Sequence, residues 1–197
     1  YETGLITYMR TDSTVLSASA MSQIKSVVEK KFGDSYYQPR KFAGKSKNAQ
    51  EAHEAIRPTH TSKVKAGLTD EQKKLYGLIW ARTVSSQMKS ASTLRTKVLA
   101  NIKEGGIPSF SINGSRVLSE GWLKADPEAR GEDVEVPKVV AGEMLGLREM
   151  HEEGKQTQPP ARYSEAGLIK ELEKRGIGRP STYASIIKTL GDRGYVE

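Results

Sequence analysis

Apolar positions recur at helical spacing in two long stretches of this chain. Met21, Ile24, Val28 and Phe32 fall on one side of a helix predicted between Ser17 and Phe32, with Gly33 as its stop. Leu75, Tyr76, Ile79, Trp80, Thr83, Val84 and Met88 form a broader apolar face, and Thr69-Asp70-Glu71-Gln72 in front of it starts as a capping box. Between them, residues 34–49 are polar and read as loop, and a short helix is predicted from Ala49 to Ile56, ended by Arg57-Pro58. At about Ala91 the period changes. Residues 93–102 are β-rich, Gly105-Gly106 turns them into Ser109–Ile112, Asn113-Gly114 is a hairpin signal, and Glu143 to His151 offers one more strand. The middle third is therefore expected to be an antiparallel sheet. Helical signals return after Pro159-Pro160, where Ser164 caps Glu165 to Lys174, residues 176–180 turn, and a helix runs from Ser181 or Thr182 to Leu190. With Tyr195-Val196 read as a strand, this end resembles a helix-turn-helix with a wing. The order of α, then β, then α predicts an α+β chain.

Composition narrows the function classes. The 197 residues suffice for one large or two small domains, and 36% hydrophobic with 28% charged residues suits an ordinary soluble protein. Without cysteine there is no disulfide, no thiolate zinc site and no cysteine nucleophile. No apolar run approaches the roughly 20 residues that span a bilayer, and no signal-peptide pattern is present, which is compatible with a cytosolic location. The net charge of +7 is uneven. Arg40, Lys41, Lys45, Lys47, Arg57, Lys63 and Lys65 face only Glu51 and Glu54 between Asp34 and Ala66, whereas residues 120–135 lean acidic. A clustered basic segment suits either a phosphate-tracking surface or a solvated loop. The chain starts on Tyr1 within a motif and ends as a strand begins, so it reads as a fragment of a larger protein.

Three segments carry candidate chemistry. In Gly4–Ser13, read as a strand running into a helix cap, Tyr8 and Arg10 are two residues apart and share a face when extended. Arg10 suits forked recognition of phosphate and charge on a phosphorane-like transition state, while the Tyr8 phenol needs such help to act as a nucleophile. In Glu51–Thr59, His53 and Arg57 are i,i+4 neighbours on the predicted helix. They can hold one phosphate together, or His53 can shuttle a proton. Alternatively, His53 pairs with a carboxylate and Arg57 caps the helix end. In Glu173–Tyr183, Gly176 and Gly178 free the backbone and Pro180 suits a first helical position. Ser181 and Thr182 there stand at a helix N-terminus, an anion site, with Arg175, Arg179 and later Arg193 adding charge; a plain turn is the other reading. The one tight acidic cluster, Glu132, Asp133 and Glu135, reads as a solvated hairpin rim and not as a metal site. No nucleotide-binding phosphate loop is present, so nothing points to nucleotide hydrolysis.

Jointly, these segments resemble the type IA DNA topoisomerases, closest to the bacterial members. Gly4-Leu-Ile-Thr-Tyr-Met-Arg-Thr-Asp-Ser13 is similar to that family's active-site motif. Glu51-Ala-His-Glu-Ala-Ile-Arg-Pro58, Pro159-Pro-Ala-Arg-Tyr-Ser-Glu165 and Arg175-Gly-Ile-Gly-Arg-Pro-Ser-Thr-Tyr-Ala-Ser-Ile-Ile187 match further family segments in the family's order. The resemblance implies that Tyr8 forms a 5′-phosphotyrosyl bond with one DNA strand, another strand passes, and the ends rejoin without ATP. Arg10 and His53 would assist catalysis, and Arg57, Arg175, Arg179, Ser181, Thr182 and Arg193 would contact DNA, preferably single-stranded. It further implies a multidomain fragment of a toroid, with helical domains flanking an antiparallel β arch: residues 1–91 bearing the tyrosine, 92–157 in the arch, and 158–197 in a helix-turn-helix-like part of the base. A monomeric, nucleoid-associated cytoplasmic protein without membrane or nucleotide partners is expected.

The chain departs from the family in lacking the Toprim domain, with its glutamate and its Asp-x-Asp-x-Glu magnesium site. No cofactor is therefore expected on this chain, and Mg2+ is expected only through that domain. The fragment alone is expected to bind single strands weakly and to relax no DNA. Two other readings stay open. A tyrosine recombinase also combines basic residues with a tyrosine, but its nucleophile follows them in sequence. A non-catalytic helix-turn-helix protein would rest on residues 164–197.

Overall fold

The computed structural model describes residues 1–42, 53–103 and 106–196. Helix α1 spans Ala18–Phe32; the Ser17 hydroxyl accepts from the Ala20 N–H as its N-cap, and Gly33 ends it at φ 101°. Helix α2 spans Asp70–Ser86 and starts with a complete capping box, Thr69 and Gln72 satisfying each other's backbone N–H groups. Ile24, Val27 and Val28 of α1 pack with Tyr76, Trp80 and Val84 of α2 and with Ala66, Met88 and Ala125. The buried stripe of α2 is narrower than its apolar sequence. Leu75 and Leu78 are more than half exposed: Leu75 sits about 100° around the helix from Tyr76, and Leu78 about 160° from both Tyr76 and Trp80. Two aromatic side chains of α2 also fasten the preceding loop, as Trp80 Nε1 donates to the Thr61 carbonyl at 2.7 Å and the Tyr76 hydroxyl to the Lys63 carbonyl at 2.6 Å.

Strands β1 (Ser92–Ala100) and β2 (Phe110–Ser119) pair antiparallel, with Val98 opposite Ile112 and Thr96 opposite Gly114. This is narrower than the predicted sheet, and two details of it differ. The connection lies between residues 100 and 110, where the Gly105-Gly106 turn is expected (Gly105 lies outside the described residues), but Asn113-Gly114 lies inside β2. Gly114 serves a close crossing: a Cβ there would stand 2.5 Å from Val136 Cγ2 and 2.8 Å from the Val134 carbonyl, where Ser115 forms a bridge with Val134. The strand predicted from Glu143 to His151 does not form; that segment is irregular and exposed and pairs with no strand among the described residues. A 3₁₀ turn, Gly121–Lys124, returns the chain to the helical core through Leu123 and Ala125.

Helix α3 covers Glu165–Lys174 behind its Ser164 cap, and α4 covers Tyr183–Asp192. Neither buries a residue fully. The wing strand expected at Tyr195-Val196 does not form. Among the described residues, no helix is long and apolar enough to cross a membrane.

Candidate active site

Two segments about fifty residues apart in sequence are joined edge to edge before α1. After a turn at Gly4 (φ 68°), Leu5–Thr7 run antiparallel to Arg57–Thr59, with Ile6 bridged to Pro58. The Thr7 N–H donates to the Arg57 carbonyl at 2.9 Å and the Thr59 N–H to the Leu5 carbonyl at 3.1 Å. The Thr7 hydroxyl completes the join, donating to the Ala55 carbonyl at 2.7 Å and accepting from the Arg57 N–H at 2.9 Å. A β-branched residue with one hydroxyl thus satisfies two backbone groups that an apolar residue would leave unpaired. Tyr8 follows this join and is 50% exposed.

Beyond Tyr8 the side chains form a chain of donors and acceptors. Arg10 donates from Nε and Nη2 to Asp12 Oδ2, each at 2.8 Å. The other Asp12 oxygen takes a hydrogen bond from His53 Nε2, and His53 Nδ1 lies 3.0 Å from the Glu54 carbonyl. The Tyr8 ring meets His53 edge-on, with centroids 6.4 Å apart, and meets Tyr1 in the same manner at 5.4 Å. Burial pushes the Asp12 carboxyl up, but the hydrogen bonds from His53 and Arg10 and the Arg10 charge outweigh it and hold the carboxyl below the ordinary carboxylate range. The result is a guanidinium and an imidazole that share one carboxylate, with the imidazole against the Tyr8 ring.

Residues 53–56 are not helical, which corrects the shared i,i+4 face expected for His53 and Arg57; residues 49–52 of that predicted helix, with Glu51, lie outside the described residues, as do Lys45 and Lys47. His53 turns toward Asp12, so the carboxylate-partner reading is the one found. Arg57 turns inward and is buried. Its Nε and Nη2 fork onto Glu54 at 3.0 and 2.7 Å, and Nη1 donates to the Pro58 carbonyl. The Glu54 Oε1 also accepts the Ser17 N–H at 2.6 Å, tying this loop to the start of α1. Burial raises the Glu54 carboxyl, yet the Arg57 and Ser17 hydrogen bonds bring it down to about 2. Arg57 is thereby a clamp inside the site's scaffold, its guanidinium buried against Glu54 and the Pro58 carbonyl. Sequence reading assigned no role to Thr7, Asp12 or Glu54. Carboxylates two and three residues from the two arginines were the available signal.

The third segment stays separate. No hydrogen bond, ion pair or aromatic contact among the described residues joins it to Tyr8, Arg10 or His53. Arg175 pairs with Glu171 at 2.7 Å, and positive φ at Gly176 and Gly178 forms the turn. The Thr182 hydroxyl accepts from the Arg179 N–H at 2.8 Å, so it closes the turn and is not free at the helix start. Ser181 and Arg193 are exposed.

The described carboxylates form no cluster that fits a magnesium ion. Among the described residues no group of three or more metal-ligating side chains comes together, Asp12 and Glu54 are committed to cations, and Asp133 is held by Arg130 and the Val117 N–H.

A sequence model described as DNA topoisomerase matches residues 1–197. DNA topoisomerase 1 of Streptomyces coelicolor is 50% identical over 211 residues, which cover all of this chain and 22% of that protein. DNA topoisomerase 1 of Synechococcus elongatus is 47% identical over 210 residues, again covering all of this chain and 23% of that protein. The full-length topoisomerase I structure from Thermotoga maritima is 35% identical with a TM-score of 0.74, covering 98% of this chain and 31% of that one. The chain thus spans less than a quarter of the length of these curated relatives, and its α+β architecture is that of a part of the topoisomerase I fold. Matched along its whole length by sequence and over nearly all of it by structure, the chain belongs to the DNA topoisomerase family.

Proposed function

We propose that these residues carry the strand-cleaving centre of a type IA DNA topoisomerase, with Tyr8 as the nucleophile. The observation that carries the reading is the half-exposed Tyr8 phenol set against His53, which shares the Asp12 carboxylate with Arg10. In the step proposed, the Tyr8 oxygen loses its proton and attacks a phosphodiester phosphorus. The P–O bond to the 3′ oxygen breaks, leaving a free 3′-hydroxyl and a 5′-phosphotyrosyl bond. Arg10, with donors left over from Asp12, neutralises charge on the phosphoryl oxygens as it builds up, the kind of electrostatic help that dominates such reactions. His53 lies against the phenol ring and assists there. After another strand passes, attack by the 3′-hydroxyl reverses the step and restores Tyr8. Both directions conserve the number of phosphodiester-type bonds, so no ATP is required.

The resemblance supports finer assignments. Residues 1–91 form the helical domain that bears the tyrosine, 92–157 the arch segment, and 158–197 a part of the base that contacts single-stranded DNA through Arg175, Arg179, Ser181, Thr182 and Arg193. The intact protein would use Mg2+ through carboxylates other than those of this chain and would act as a monomer on chromosomal DNA. By itself, the 197-residue chain is expected to bind single strands weakly and in a salt-sensitive way. It should leave supercoiled plasmid unrelaxed, and relaxation by this chain alone would overturn that expectation.

The central test is trapping of a covalent adduct in the intact protein, using an oligonucleotide labelled at either end. Tyr8→Phe should lower adduct formation by at least about 1,000-fold, since the nucleophilic oxygen is gone. An adduct that persists in Tyr8→Phe removes Tyr8 as the nucleophile, and a 3′-linked adduct would favour recombinase chemistry.

A further inference from the structure

We infer that Asp12 is a positioning residue for the cleavage reaction, bridging Arg10 to the His53 ring that lies against Tyr8. The inference rests on the proposed role of Tyr8. Asp12 uses its two oxygens for two different cationic or proton-bearing side chains: Oδ2 for the Arg10 fork and Oδ1 for His53 Nε2. Its side chain is 11% exposed, against 28% for Arg10 and 18% for His53, so the carboxylate sits under the two groups it orients. His53 in turn lies against the Tyr8 ring. A free arginine spreads over many rotamers, and fixing it beforehand removes an ordering cost from the transition state.

Asparagine at this position is nearly isosteric but has one acceptor oxygen, and its NH2 group would point at a donor. It can therefore keep both partners only if His53 gives up its Nε2 proton and holds one on Nδ1 toward the Glu54 carbonyl, and in either case the negative charge opposite Arg10 is lost. In the intact protein, Asp12→Asn should slow single-turnover cleavage of an oligonucleotide by about 10- to 100-fold. Oligonucleotide affinity should change by less than about 3-fold, since Asp12 itself touches no DNA. Asp12→Glu, which keeps both oxygens, should recover part of the rate. In a His53→Gln background the Asp12→Asn effect should shrink, because a partner through which it acts is already gone. Melting temperatures of the variants check that folding is retained. If Asp12→Asn does not fold, the Asp12→Glu rate and its coupling to His53→Gln decide the matter.

Wild-type cleavage in Asp12→Asn, a loss confined to affinity, or equal losses in both backgrounds would each overturn the inference. Tyr8→Phe run in parallel separates the two levels. If it still forms the adduct, the role of Tyr8 fails. If it forms none while Asp12→Asn cleaves normally, only the role of Asp12 fails.

Discussion

Arg57 and Glu54 set the stability of the site more than its chemistry. Arg57 is buried, and the parallel hydrogen bonds onto Glu54 are the geometry that makes burying a guanidinium tolerable. Glu54 titrates at about 2 in the folded chain against an ordinary 4.5, so its folded value is depressed. Its stabilising contribution is complete above the unfolded value and disappears as pH falls from there through about 2. Glu54→Gln should lower stability by roughly 2 kcal/mol at pH 7, with the difference from wild type closing toward pH 2. Urea unfolding followed at several pH values reads this directly. A constant difference across that range would show that the pair is not what holds Arg57 in place.

Among the elements, the tightest steric demand falls where the sheet hands back to the helical core. Gly121 opens the 3₁₀ turn at φ 49°, and a Cβ there would lie 2.4 Å from the Ser90 carbonyl oxygen. Backbone cannot step aside as a flexible side chain can. Gly121→Ala is expected to destabilise the helical part by at least about 2 kcal/mol, seen as a lower urea midpoint. An unchanged midpoint would mean that Leu123 and Ala125 dock without this crossing. The same logic explains Gly114. It reads as a hairpin turn because Asn-Gly is a strong turn signal, but here its missing side chain admits Val134–Val136 across β2.

On the scale of the whole molecule, burial is unequal. The apolar core joins α1, α2, Ala66, Met88 and Ala125, with Leu5 and Ile6 of the tyrosine segment packed partly against it. Tyr8 therefore extends from a segment anchored to a core. Helices α3 and α4 bury nothing fully. Hydrogen exchange on the 197-residue chain should follow this division, with backbone amides of α1 and α2 protected at least about 100-fold more than those of α3 and α4. Equal protection would show that the last two helices are held by packing not visible in their burial.

The amino-acid sequence alone determined the helix ends and the chemical inventory. Thr69 and Ser164 cap α2 and α3 as predicted, α1 follows Ser17 where the helical stretch is expected to begin, and Gly33 stops it. Caps act over three or four residues, so they are legible locally. The strings around Tyr8, His53 and Arg179 are likewise contiguous, which is why the family could be named before any geometry. The tertiary structure alone decided what those residues do to one another. Tyr8 to His53, Asp12 to His53 and Thr7 to Arg57 are contacts across 41 to 50 positions, and no local period encodes them. The predicted helix through His53 failed for the same reason. Backbone pairing with Leu5–Thr7 and the Glu54–Arg57 fork satisfy that segment better than a short isolated helix, sending His53 to the phenol and Arg57 into the protein.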